Sequence, residues 1–178
     1  FEFVLASKAP NGTCFKGITR TFNPVSAMDG TTDQVQAIIS GNDVYNGQWP
    51  GDEYLNVFVV GSLSEPGSAL ITLGYTNFPA WGGLGMDNGF YVIHQGIGSI
   101  GTGGIYDLST STHEIGHWLN LPHTWGWDNQ VGQGCGDDDG IDDTPRCYGV
   151  QGGSCNPLNP TPLNSCSQDN ALWGFDIQ

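Results

Sequence analysis

Short apolar runs separated by long polar, glycine-rich stretches set the pattern of this chain, and the runs predict a small set of elements. Residues 1–6 (FEFVLA) alternate enough to read as a strand. Residues 31–40 read as a short helix. Residues 54–61 form an apolar, β-branched run expected to be a central strand, and residues 69–75 and 90–94 read as two more strands. Residues 109–119 predict a helix, with Asp107 or Ser109 as its cap. After His123, glycine, proline, asparagine and aspartate dominate and no regular element is expected. No internal repeat and no linker divides the chain. The pattern supports an α+β fold in which a small mixed, twisted sheet packs on one helix, with residues 1–178 forming a single domain and a loop-rich C-terminal part.

The predicted helix carries the chemistry. It contains His113-Glu114-Ile115-Gly116-His117, and His123 follows six residues later. Histidines four apart project from one helix face, about a turn from each other, so both can reach one metal ion. Glu114 adjoins the first of them and can lie beside the metal without binding it. Asn120 offers a turn after the helix that brings His123 back as a third ligand. Three neutral imidazoles with an open fourth position make a catalytic zinc site, whereas structural zinc sites are closed by four ligands. A bare HExxH occurs by chance on many helices, but the third histidine makes chance a poor account. Three of the chain's four histidines fall in this motif, which also argues against a metal-free histidine cluster. Glu114 is then the expected general base.

Composition sets independent bounds. A chain of 178 residues has room for a real core, although 38% hydrophobic content is modest and 28 glycines imply many turns. The net charge is −14, with Lys8, Lys16, Arg20 and Arg146 as the only lysines and arginines. Nucleic-acid binding needs a basic footprint and is not expected; anionic membrane surfaces should repel the chain as well. No apolar run approaches the ~20 residues of a membrane span. Five cysteines (Cys14, Cys135, Cys147, Cys155, Cys166) point to an oxidising compartment, and four of them cluster between residues 135 and 166, where disulfides would replace a core. Five aspartates lie within residues 137–144 with no cation among them. Calcium relieves such crowding by taking several oxygen ligands from one loop, although no glutamate closes an EF-hand here. A solvated acidic loop is the alternative.

The zinc motif resembles the metzincin signature HExxHxxGxxH, with Asn120 in the place of glycine. That place needs a sharp turn with positive φ, and asparagine is the next most tolerant residue for it. The segments FEFVLA (1–6), GITR (17–20), YLNVFV (54–59), LGY (73–75) with Phe78-Pro79, and Asp143-Thr144-Pro145 surround HEIGHWLNLPHTW (113–125) in an order similar to the pappalysin family of metzincins. The resemblance runs over nearly the whole chain. It implies a secreted zinc endopeptidase acting on protein or peptide substrates. It also implies a Cys135–Cys166 disulfide, a downstream partner for Cys155, calcium held by Asp139 and Thr144, and substrate pairing along the strand containing Leu73-Gly74-Tyr75.

The departures shape the remaining expectations. The family has a methionine turn beneath the zinc, downstream of the third histidine, but Met28 and Met86 are both upstream. It also has a helix before the first strand. The resemblance thus implies a catalytic domain lacking its N-terminal helix and its Met-turn segment, with a separate C-terminal fragment of the same precursor as a candidate partner. His94, Trp118, Trp125, Tyr54 and Tyr75 are expected to be structural, and Arg20 to form a buried ion pair. Three readings stand: an active endopeptidase, a metal-stabilised but catalytically incomplete binding module derived from a protease, and, last, a calcium-dependent adhesion domain.

Overall fold

A five-residue strand buried on both sides organises the fold. The computed structural model describes residues 2–25, 32–41, 47–68, 71–76, 89–98, 101, 107–126 and 138–142. Its elements are α1 (Thr32–Ser40), β1 (Asn56–Val60), β2 (Gly74–Thr76), β3 (Gly89–Ile93), a 3-10 turn (His94–Gly96) and α2 (Asp107–Trp118). Among the described residues the strands form one sheet of order β1-β3-β2. β1 runs parallel to β3, with Phe58 opposite Tyr91 and Val60 opposite Ile93. β2 runs antiparallel to β3, with Gly74 opposite Val92 and Tyr75 opposite Tyr91. The sheet is mixed, as the apolar pattern implies.

Alternation along β3 sends its side chains to two different environments. Tyr91 and Ile93 join Val35, Val60 and Leu63 in the hydrophobic core, with Ile38, Ile39, Phe58 and Tyr75 packed against them. Val35, Ile38 and Ile39 recur at i, i+3 and i+4, which puts one stripe of α1 on this core. Each large apolar side chain buried here contributes about 1.5–3 kcal/mol. Phe90 and Val92 are equally buried and belong to the other face. There α2 packs on β2, β3 and the 3-10 turn.

Several expectations change. Among the described residues the central strand is β3, not the run at residues 54–61, and β1 lies at an edge with Val57 and Val59 exposed. Residues 2–6 form no strand: Phe3, Val4 and Leu5 are exposed, and the chain then makes a tight turn at residues 9–13, closed by a Lys8–Cys14 bridge. The strand expected over residues 69–75 is Gly74–Thr76. Asp107 and Ser109 are the first and third residues of α2 rather than its cap. Tyr54 precedes β1, donates a hydrogen bond to the Lys8 carbonyl at 3.3 Å and packs its ring on Trp49. Trp49 is clamped by Asn56 through two hydrogen bonds of 2.9 Å each. Arg20 is exposed rather than buried in an ion pair.

The chain divides into two compact units, Phe1–Asn120 and Leu121–Gln178. In the second, residues 138–142 form a tight turn: the Ile141 amide donates to Asp139 Oδ1 at 2.9 Å and the Asp139 amide to Asp138 Oδ1 at 3.0 Å. No helix among the described residues is long and apolar enough to cross a membrane.

Candidate metal centre

α2 presents two faces with different chemistry. His113 and His117, one turn apart, bring their Nε2 atoms to 3.0 Å, with the rings nearly perpendicular at 83°. His117 is buried, while His113 is exposed as a residue. Partial burial and then the neighbouring His117 hold the His113 imidazole below the usual histidine range, which favours the neutral, ligating form. Two ring nitrogens at roughly 2.0–2.1 Å from a tetrahedral zinc lie about 3.3 Å apart, so this pair fits a zinc ion with little adjustment.

Glu114 occupies the face turned toward the sheet. It is 4% exposed, and its Oε2 is buried with no hydrogen-bond partner. Burial pushes its carboxyl from the usual 4.5 up to about 8, since nothing compensates the charge lost from water. The side chain lies beside Gly74 of β2, together with Thr110, which sits one turn earlier on α2. The carboxyl is thus buried and unpartnered one residue along the helix from His113.

The helix ends where the sequence requires it. Asn120 has φ 69°, the one non-glycine residue with positive φ among the described residues. Its amide donates to the His117 carbonyl at 2.8 Å, so the chain reverses out of α2. The turn expected from an asparagine in the glycine position is therefore present. His123 lies in the second unit, in a tight turn where the Gly126 amide donates to its carbonyl at 2.8 Å. Its imidazole stacks face to face on Trp125, at 4.4 Å and 2°. α2 thus brings two of the motif's three imidazoles together, and His123, the third, stands six residues further along the chain.

Other expected site residues fare differently. Asp139 is buried in its turn. Thr144, Cys135, Cys147, Cys155 and Cys166 lie outside the described residues, and Cys14 is an exposed free thiol. Two residues near the motif have roles the sequence reading missed. Trp125, read as ordinary packing, holds the plane of the His123 ring, and its spacing of two from a histidine was the available signal. Gly74, read only as part of a strand edge, abuts Glu114. A glycine leaves no signal of what lies against it.

A peptidase family model, Peptidase_M43, described as Pregnancy-associated plasma protein-A, matches residues 39–173. Extracellular metalloprotease 1 of Coccidioides posadasii is 35% identical over 144 residues, covering 77% of this chain and 45% of that protein. An extracellular metalloprotease of Verticillium alfalfae is 36% identical over 110 residues, covering 58% and 35% respectively. Mature mirolysin of Tannerella forsythia, solved in complex with a cleaved peptide, aligns with a TM-score of 0.63 and 32% identity, over 82% of this chain and 51% of that one. The chain thus spans about half or less of the length of the relatives it matches.

Proposed function

The chain belongs to the pappalysin peptidase family, and on that premise we propose that it is a secreted zinc endopeptidase with His113, His117 and His123 as ligands and Glu114 as general base. The observation that carries the reading is the buried, unpartnered Glu114 carboxyl one residue from the convergent His113–His117 pair. Zinc, if held by these imidazoles, would supply Lewis acidity toward a water and a peptide carbonyl. Glu114 takes the proton from that water as its oxygen attacks the carbonyl carbon. It holds the proton on its carboxylate and delivers it to the departing amine as the C–N bond breaks. Trp125 keeps the His123 ring in one orientation.

The family and the cleaved peptide in complex with mirolysin support a protein or peptide substrate. The extracellular relatives and the cysteine content support secretion. Calcium at Asp139 and Thr144, and a single domain spanning residues 1–178, belong to the same reading. The incomplete binding-module alternative is disfavoured by Glu114: holding a metal does not need it, and burying an unpartnered carboxyl costs stability.

The test is cleavage of an unfolded protein by the purified protease, before and after zinc chelation and after zinc is restored. We expect cleavage that stops and returns. Cleavage indifferent to the chelator would remove the zinc reading. Bound zinc without cleavage would favour the binding module.

A further inference from the structure

We propose that Gly74 is a positioning residue for Glu114, setting where the carboxylate sits by having no side chain. This inference rests on the general-base reading of Glu114. Gly74 opens β2 and pairs with Val92 on the sheet face that α2 covers. A Cβ at this position would come to 2.9 Å from Glu114 Oε1, 3.0 Å from Glu114 Cγ and 3.1 Å from Thr110 Cγ2. Two of the three atoms belong to Glu114, so the methyl would meet the reacting end of that side chain, not merely the helix. Glu114 Oε2 has no hydrogen-bond partner. With no hydrogen bond there to fix it, the carboxylate depends on the packing around it, and the Gly74 backbone is a nearby rigid surface.

Gly96 shows what a purely structural glycine does on the same face. A Cβ there would meet Val92 Cγ2 at 2.9 Å, the Leu73 carbonyl at 3.3 Å and Thr110 Cγ2 at 3.4 Å, with no atom of Glu114 among these nearest neighbours. Both glycines let α2 approach the sheet. Only Gly74 also meets the group that moves the proton. A methyl at 74 would therefore displace the carboxylate while leaving His113 and His117 in place. Misplacing a catalytic group by ~1 Å costs on the order of 10²-fold in rate.

Four variants of the purified protease test this: Gly74→Ala, Glu114→Asp, Gly74→Ala/Glu114→Asp and Gly74→Ala/Thr110→Ser. Each is measured for kcat, KM, zinc stoichiometry and thermal unfolding. We expect Gly74→Ala to lower kcat about 10- to 100-fold at unchanged KM and with one zinc retained. Thr110→Ser removes the helix contact but not the carboxylate contact, so it should not restore kcat. Glu114→Asp withdraws the carboxylate by one methylene. Adding Gly74→Ala to it should then cost less than about twofold, a non-additivity that only a shared contact produces. If Gly74→Ala alone fails to fold, folding and zinc binding by its double variant with Glu114→Asp carries the same conclusion. Equal losses in both backgrounds, rescue by Thr110→Ser, or failure of both variants to fold would overturn the proposal. Glu114→Gln is measured alongside. Full activity in that variant would mean that the general-base reading has failed, and this inference with it. An inactive Glu114→Gln beside a normal Gly74→Ala would remove this inference alone.

Discussion

The two faces of the sheet formed by β1, β2 and β3 are built on opposite principles. The face under α1 is filled: Tyr91, Ile93, Val60 and Phe58 meet Val35, Ile38 and Ile39, and the rings of Phe58 and Tyr75 each stack on Tyr91 with centroids 5.0 Å away. Part of the face under α2 is emptied. Gly74 and Gly96 offer no side chains, and the helix lays Thr110 and Glu114 against them. The first face holds the domain together by burying apolar area. The second gives up some of that burial to hold the Glu114 carboxyl dry against Gly74. One small sheet thus separates stability from chemistry by the alternation of its strands.

Breaking the chemical face should have the largest effect on activity and the least on the fold. His117→Ala removes one of the convergent nitrogens. We expect zinc affinity to fall by more than ~10²-fold, beyond what loss of a supporting group costs, and activity to vanish with it. Metal analysis after dialysis checks this, and one retained zinc would place the ligands elsewhere.

The filled face should behave in the reverse way. Tyr91→Ala opens a cavity at its centre and should cost about 3–5 kcal/mol in denaturant unfolding, with normal activity per folded molecule. Its hydroxyl tells a finer story. Tyr91 Oη is buried without a partner, and burial, then Tyr75, push its pKa above the usual tyrosine range. Tyr91→Phe should therefore be neutral, or stabilising by ~1 kcal/mol. A loss above ~1 kcal/mol would show that the hydroxyl has a partner.

The smallest effect sharpens the contrast through pH. Glu114 in the folded, metal-free protein titrates at about 8 instead of 4.5. Between these values the folded state binds more protons than the unfolded state, so stability is full below pH 4.5 and declines as pH rises through 8. Thermal unfolding of the metal-free protein should show this decline, and Glu114→Gln should flatten it. An unchanged slope in that variant would assign the effect to another group.

What the sequence revealed and what it hid divide along the same line. The zinc helix, its reversal at Asn120 and the histidine spacing are local, and local chemistry dictates them: i,i+4 projection and the tolerance of asparagine for positive φ need no distant partner. α1 and the mixed sheet were also legible from apolar runs. The central strand was misread because burial on both faces depends on what α1 and α2 bring from elsewhere. Residues 54–61 are the more β-branched run, yet Val57 and Val59 of β1 are exposed. Residues 1–6 alternate like a strand, but strand formation needs a neighbour and the pattern does not supply one. Gly74 was invisible as a positioning residue because its contribution is the atom it lacks, and the burial of Glu114 became apparent only with β2 beside it.

The central claim is that Glu114 moves the proton while the histidines hold the metal. Glu114→Gln keeps the size and removes the base. The measurement is its zinc stoichiometry together with kcat on an unfolded protein substrate. We expect one zinc per chain and a loss of about 10²–10⁴-fold in kcat. One bound zinc with unchanged kcat would contradict the account.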